Sequence, residues 1–290
     1  MATFDYDHAF SRNIGWVTPR EQALLRSKRI AVGGAGAAGA AALLTLARLG
    51  IGKFHIADFD TYDVVNFNRQ AGAMMSTVGQ PKVDVMARMV RDINPGAEIT
   101  TFDDGINRGN LDAFLAGVDF YLDGIDFFAF DARQLVFAGC AERAIPATTA
   151  APLGMGAATL SFLPGKYSFE DYFQWSQRSE LDKAIRFMVG LAPAGLHRGY
   201  LVLPSAINLA EHRGPSTAMA INLCAGMSCT TALKVLLGRG EVLAAPHGLH
   251  FDAYRNKLVH TWRPGGNRHP LQRLAIAIAT RAIARRMAAS

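Results

Sequence analysis

Three glycines at fixed intervals, Gly34-Ala-Gly36-Ala-Ala-Gly39, follow the apolar run Arg29-Ile-Ala-Val-Gly33 and open a small-residue stretch from Ala37 to Leu49. That spacing suits anion chemistry. The first glycine permits a tight turn, the second lets backbone approach a phosphate, and the third lets a helix pack closely on a strand. The free N–H groups of the helix would then face the anion. Asp58 closes the next apolar run, Lys53-Phe-His-Ile-Ala-Asp58, where an acid can hydrogen-bond a ribose hydroxyl. On these residues alone, both a nicotinamide dinucleotide and ATP fit.

The stretch that follows separates the two. Asp58-Phe-Asp60 leads to Asn66, Arg69 and Gln70, and then to Gly79-Gln-Pro-Lys82. A dinucleotide has no need of an amide, a guanidinium and an ammonium spread over one turn and one helix start. A triphosphate does, because its charge must be neutralised before another anion can approach. Asp123 and Asp126 follow a further apolar run in Leu122-Asp-Gly-Ile-Asp126. For Asp126 a second reading is a cap on the helix starting near Phe128. For Arg69 and Lys82 it is an ordinary solvated charge.

Positioning these residues requires alternating strands and helices. From Arg29 to about Pro152, short apolar runs (29–33, 53–58, 98–102, 119–122 and 145–149) alternate with helical stretches (37–49, 81–93, 111–115 and 129–141). This predicts an α/β fold, a doubly wound, mainly parallel Rossmann-like sheet. The pattern then changes. Residues 157–162 read as a strand, 164–214 as an irregular aromatic insertion over the sheet, and 216–237 as a long buried helix. Residues 247–252 and 257–262 read as a hairpin, and 271–287 as a basic amphipathic helix. The expectation is one domain over 1–290, with a nucleotide-binding core at 10–163, the insertion at 164–214 and an antiparallel extension at 215–290.

In this order and spacing, the glycine turn, the Asp58/Asp60/Asn66/Arg69-Gln70 series, Gly79-x-x-Lys82 and Asp126 resemble the ThiF/MoeB/HesA family, the ubiquitin-activating-enzyme-like adenylyltransferases. The resemblance covers roughly residues 10–163 and, more weakly, 216–238. It implies that Gly34, Gly36 and Gly39 form the phosphate turn, with Asp58 on the ribose and Asp60 beside it. Asn66, Arg69 and Lys82 would contact phosphates, Asp126 would hold Mg2+, and Asp123 would support it. Arg12, in Ser11-Arg-Asn13, resembles an arginine that reaches into the partner subunit's site, which implies a homodimer. The implied reaction is ATP-dependent: a substrate carboxylate, on a small protein, a peptide or a small molecule, attacks the α-phosphate to give an acyl-adenylate and pyrophosphate. Arg12, Arg69, Lys82 and Asp126 would carry the catalysis.

The chain departs from the family pattern in places. Cys140, Cys224 and Cys229 form no C-x-x-C pair, so no zinc site is expected. Residues 164–223 hold no cysteine, so the adenylate is expected to pass directly to an amine, an amide, water or an external thiol. Phe127 stands where many relatives carry Asn, which keeps a catalytically silent partner subunit of the same fold as an alternative, beside an NAD(P)-binding oxidoreductase.

Composition limits the rest. Half of the 290 residues are hydrophobic and 19% are charged, which excludes a disordered chain. The net charge is +6, yet eight cations and no acid follow Asp252, so basicity belongs to the C-terminal part. No nucleic-acid partner is expected from it, although modified tRNA occurs among substrates of the family. The uncharged run from Ile30 to Ala47 resembles a membrane span, but its glycines favour strand, turn and helix. No span is expected, and a reducing cytoplasm is the expected compartment. Five aromatics within 167–175 suit either a clamp for a substrate tail or packing on the sheet. His247 and His250 read as hairpin histidines rather than metal ligands, and the basic last helix as packed on the domain rather than on lipid.

Overall fold

The computed structural model describes residues 3–207 and 214–287. Eight strands form one sheet: β1 (Arg29–Gly33), β2 (Lys53–Ala57), β3 (Glu98–Phe102), β4 (Phe120–Asp123), β5 (Ala147–Leu153), β6 (Gly156–Phe162), β7 (His247–Asp252) and β8 (Lys257–Trp262). Their spatial order is β3-β2-β1-β4-β5-β6-β7-β8. The first five run parallel, and the last three add antiparallel. This is the doubly wound, mainly parallel α/β sheet with the antiparallel extension that the sequence predicts.

Ten helices accompany the sheet among the described residues: α1 (Tyr6–Ala9), α2 (Pro19–Ser27), α3 (Ala37–Arg48), α4 (Lys82–Ile93), α5 (Leu111–Leu115), α6 (Phe130–Glu142), α7 (Phe169–Phe173), α8 (Glu180–Leu191), α9 (Ala218–Leu237) and α10 (Pro270–Met287). Strand residues alternate between the sheet's two faces. Ile30 and Val32 of β1 enter a core with Leu43 and Leu46 of α3 and Ile221 and Cys229 of α9. Ala31 enters the opposite core, with Tyr121, Phe137 and Phe162. The central strands are therefore apolar on both sides, as a covered parallel sheet requires. Helix α9 is long and apolar enough to cross a bilayer. Here its apolar length is used differently: Ala220, Ile221, Cys224, Ala225 and Cys229 are buried, the last within 3.6 Å of the Ala42 carbonyl.

Two expectations need correction, and one open alternative is decided. The 164–214 insertion is not irregular throughout. The Ser168 hydroxyl accepts from the Asp171 N–H and the Asp171 carboxylate returns the bond, starting α7, while Ser179 caps α8. Of the two readings of the aromatic run, packing is the one observed: Tyr172, Phe173 and Trp175 are 0% exposed and Phe169 3%, all within the second core. The second correction is α2: opened by a capping box at Thr18 and Pro19 at its first position, it lies outside the elements read from the sequence. The hairpin histidines diverge because residues three apart on a strand face opposite sides. His247 stacks against Trp262, and buried His250 faces His197 with ring centres 5.9 Å apart. The last helix packs Ile276 against Ile185 and Val189 of α8.

Candidate nucleotide site

The sheet order reverses between β1 and β4, so a crevice opens at the carboxyl ends of those strands. The glycine turn lies there. Gly34 has φ +85°, which L side chains rarely adopt, and a Cβ on it would come within 2.2 Å of the Gly124 carbonyl. A Cβ on Gly39 would come within 1.7 Å of the Gly34 carbonyl. These two glycines thus let β1, α3 and the loop after β4 touch backbone to backbone. Gly36 differs: nothing lies nearer its Cβ position than the Gln70 amide, at 3.8 Å. It is the N-cap of α3 and has no side-chain capping bond. Open space beside uncapped helix N–H groups is what a bound phosphate needs.

On the β2 side, one Asp58 oxygen accepts the Ala35 N–H at 2.7 Å and the other accepts the Asp60 N–H at 2.9 Å. Burial nevertheless raises the Asp58 pKa above the ordinary carboxylate value, against those N–H bonds and the Lys82 charge. Lys82 begins α4. Its N–H donates to the Asp60 carbonyl and its ammonium pairs with the Asp60 carboxylate at 2.8 Å. The lysine side chain is 7% exposed and the aspartate side chain 52%. One partner is therefore held and the other faces solvent.

Between these groups runs the 63–70 segment. The Asn66 side chain is buried and accepts the Asp63 N–H, closing a reciprocal cap. Arg69 donates to the Val65 carbonyl and the Asn68 side chain. Gln70 is buried over Gly36, and its amide oxygen has no partner. In the sequence, the Arg69-Gln70 dipeptide is the only signal for this glutamine. A buried, unsatisfied amide at the glycine turn makes it a further candidate for nucleotide contact.

On the β4 side, Asp126 is exposed. One of its oxygens accepts the Phe128 N–H at 3.0 Å, ahead of the first turn of α6, and no ion pair engages it among the described residues. The capping role is thus partly present, and it leaves the carboxylate available. Asp123, expected to support the nucleotide, is turned inward. It is 3% exposed and spends its oxygens inside the protein, on Arg133 (2.8 Å), Thr149 (2.7 Å) and the Ile125 N–H (3.2 Å). Arg12 is exposed at the other end of the molecule's α3 layer: neighbouring Asn13 donates to the carbonyls of Arg48 and Leu49. The 12 residues of α3 place about 18 Å between that end and the glycine turn. Arg12 is therefore outside its own chain's site.

The cysteines are free and buried, and burial raises all three thiol pKa values. A buried, protonated thiol is a poor nucleophile. Among the described residues no group of three or more His, Cys, Asp or Glu could hold a metal ion.

Comparison with known proteins places the chain in a family. The model of the ThiF family matches residues 10–274. The tRNA threonylcarbamoyladenosine dehydratase of Bacillus subtilis is 31% identical over 197 residues, 68% of this chain and 74% of that protein. The molybdopterin-synthase adenylyltransferase of Escherichia coli is 34% identical over 134 residues, 46% of this chain and 53% of that one. The chain thus spans about half the length of the latter relative. Among solved structures, E. coli MccB with ATP superposes with a TM-score of 0.65 at 19% identity, covering 89% of this chain and 73% of MccB, a likeness of fold. With its family model spanning most of its length, the chain belongs to the ThiF family, an enzyme family whose named relatives here include adenylyltransferases.

Proposed function

We propose that the protein is an ATP-dependent adenylyltransferase that activates a substrate carboxylate. The observation that carries this reading is the convergence at one strand edge of the Gly34–Gly39 turn, the Asp58–Asp60–Lys82 chain of contacts and the loop bearing Asp126. The α3 N-terminus and Gly36 receive phosphate, Asp58 receives the ribose, and Lys82 exchanges its exposed Asp60 partner for phosphate. Asn66 and Arg69 lie on the same segment as Gln70 and complete the cationic and amide lining.

The donor set suits Mg2+. This ion is commonly held by one or two carboxylates together with substrate phosphates and waters, and Asp126 offers an exposed carboxylate beside the turn. When bound, Mg2+ supplies charge neutralisation at the phosphates. The residues of the chain hold the two anions in line. A carboxylate is already ionised near neutrality, so no general base is required. One carboxylate oxygen forms the new bond to the α-phosphorus, the bridging bond to the β-phosphate breaks, and pyrophosphate leaves. Positioning and charge cancellation supply the acceleration.

The substrate carboxylate belongs to a small protein, a peptide or a small molecule. With the three thiols buried, transfer proceeds straight from the adenylate to an acceptor. Arg12 acts in this scheme only across a homodimer, and a cytoplasmic setting suits the free cysteines. Carboxylate-dependent exchange of labelled pyrophosphate into ATP tests the reading. We expect exchange that depends on Mg2+ and falls about 10²–10³-fold in Lys82→Ala. No exchange with any candidate carboxylate, together with thermal stabilisation by NAD and not by Mg-ATP, would overturn it.

A further inference from the structure

The loop between β4 and α6 carries Asp126, and its local bonds, from the Ile125 N–H to Asp123 and from the Phe128 N–H to Asp126, leave its carbonyls to be held from elsewhere. The structure shows what holds them. Arg133, in the first turns of α6, is 2% exposed and folds back beneath the loop. Its Nε donates to Asp123 at 2.8 Å, Nη2 to the carbonyls of Ile125 (2.5 Å) and Asp126 (3.1 Å), and Nη1 to the carbonyl of Phe127 (3.2 Å). One guanidinium thus ties three consecutive carbonyls, including that of Asp126 itself, to the end of β4. Asp123 is in turn anchored by Thr149 of β5. The far side of the guanidinium lies 4.7 Å from the centre of the Phe187 ring of α8. That ring also meets Phe127, at 5.6 Å. Phe127, the departure from the family pattern, is therefore one residue through which the loop docks on the insertion.

We infer that Arg133 is a positioning residue, and that it and Phe187 couple the insertion helix α8 to the loop presenting Asp126. The inference rests on the proposed adenylyltransferase reading. A guanidinium is required because only its planar fork reaches several acceptors at once, whereas an ammonium is a point charge. The lost carbonyl bonds would free the loop without removing the charge that Asp123 needs. Groups that orient a metal ligand typically change metal affinity about 10–100-fold when altered.

The test is calorimetric titration of the full chain with ATP, once with excess Mg2+ and once with EDTA. For Arg133→Lys we expect unchanged affinity in EDTA and a Mg2+-dependent tightening about 10-fold or more below that of the wild type, as in Asp126→Asn. Wild-type Mg2+ dependence in Arg133→Lys overturns the inference, and so does an equal loss in both titrations, which marks a merely structural role. If Arg133→Lys does not fold, Phe187→Leu carries the test. It keeps every hydrogen bond and removes the ring, and a smaller loss confined to the Mg2+ titration is expected, with the same two overturning results. A wild-type chain that binds no ATP in either titration removes the adenylyltransferase reading and this inference with it. Normal wild-type binding with unaltered variants removes this inference alone.

Discussion

Two ion pairs flank the glycine turn, and they are built for different purposes. Lys82 and Asp60, on the β2 side, pair a buried ammonium with a half-exposed carboxylate. Arg133 and Asp123, on the β4 side, are 3% and 1% exposed in their side chains, and both have further partners. The open pair can exchange one partner for a ligand at little cost, because water screens the acid before and after. The sealed pair cannot, because separating it would strand a charge and several carbonyls without water. In the proposed scheme, adjacent pairs of like composition serve as contact and as scaffold. Burial of the partner, more than the presence of an ion pair, tells them apart.

The sharpest break between them is in stability. Arg133→Met is expected to cost about 3–5 kcal/mol in chemical denaturation, the usual result of leaving one member of a buried pair unpaired. Lys82→Met is expected to cost about 1 kcal/mol. Equal losses would erase the distinction. In activity the order inverts among folded variants: Lys82→Met is expected to lower pyrophosphate exchange about 10²–10³-fold, while Asp60→Asn, which removes only the displaceable partner, retains most of it.

Acid provides a third contrast. His250 is buried beside half-buried His197, with Asp252 acting on both rings but no ion pair formed to either among the described residues, in contrast to the two flanking pairs. Burial and His250 together lower the His197 pKa to about 4, and burial lowers that of His250 as well. Their unfolded forms protonate near 6.5, so the unfolded state binds more protons below that pH. Stability contributed by the neutral rings is present above pH 6.5 and is lost as pH falls toward about 4. Denaturation midpoints measured between pH 7 and pH 4 should fall less steeply in His197→Gln than in the wild type; an unchanged slope would contradict this account. The smallest effect belongs to Asp60→Asn, whose stability is expected to change by less than about 1 kcal/mol.

The two halves of the site were unequally legible in the sequence. Gly34 and Gly39 are read easily because backbone contact admits no other residue. Asp58 and Lys82 follow because each stands at an element boundary. The expected strands and helices of the parallel half lie within a few residues of those observed, since apolar runs buried on both faces leave a plain pattern. The inward turn of Asp123 was not legible because its partner Arg133 stands ten residues on, across a loop. The insertion was read as irregular because its aromatics follow no helical period. Yet Ser168 and Ser179, with acids three residues on, were usable helix-start signals. Gln70 follows Arg69 directly in the chain, but its burial over Gly36 appears only in three dimensions.

The central claim is that this strand edge binds a triphosphate with a divalent cation. Calorimetric titration of the wild-type chain with Mg-ATP and, separately, with NAD tests it most directly. The account predicts saturable Mg-ATP binding that is strongly weakened in Lys82→Met and in Asp126→Asn, with no comparable NAD binding. Saturable NAD binding without Mg-ATP binding, or Mg-ATP binding indifferent to both substitutions, would contradict it.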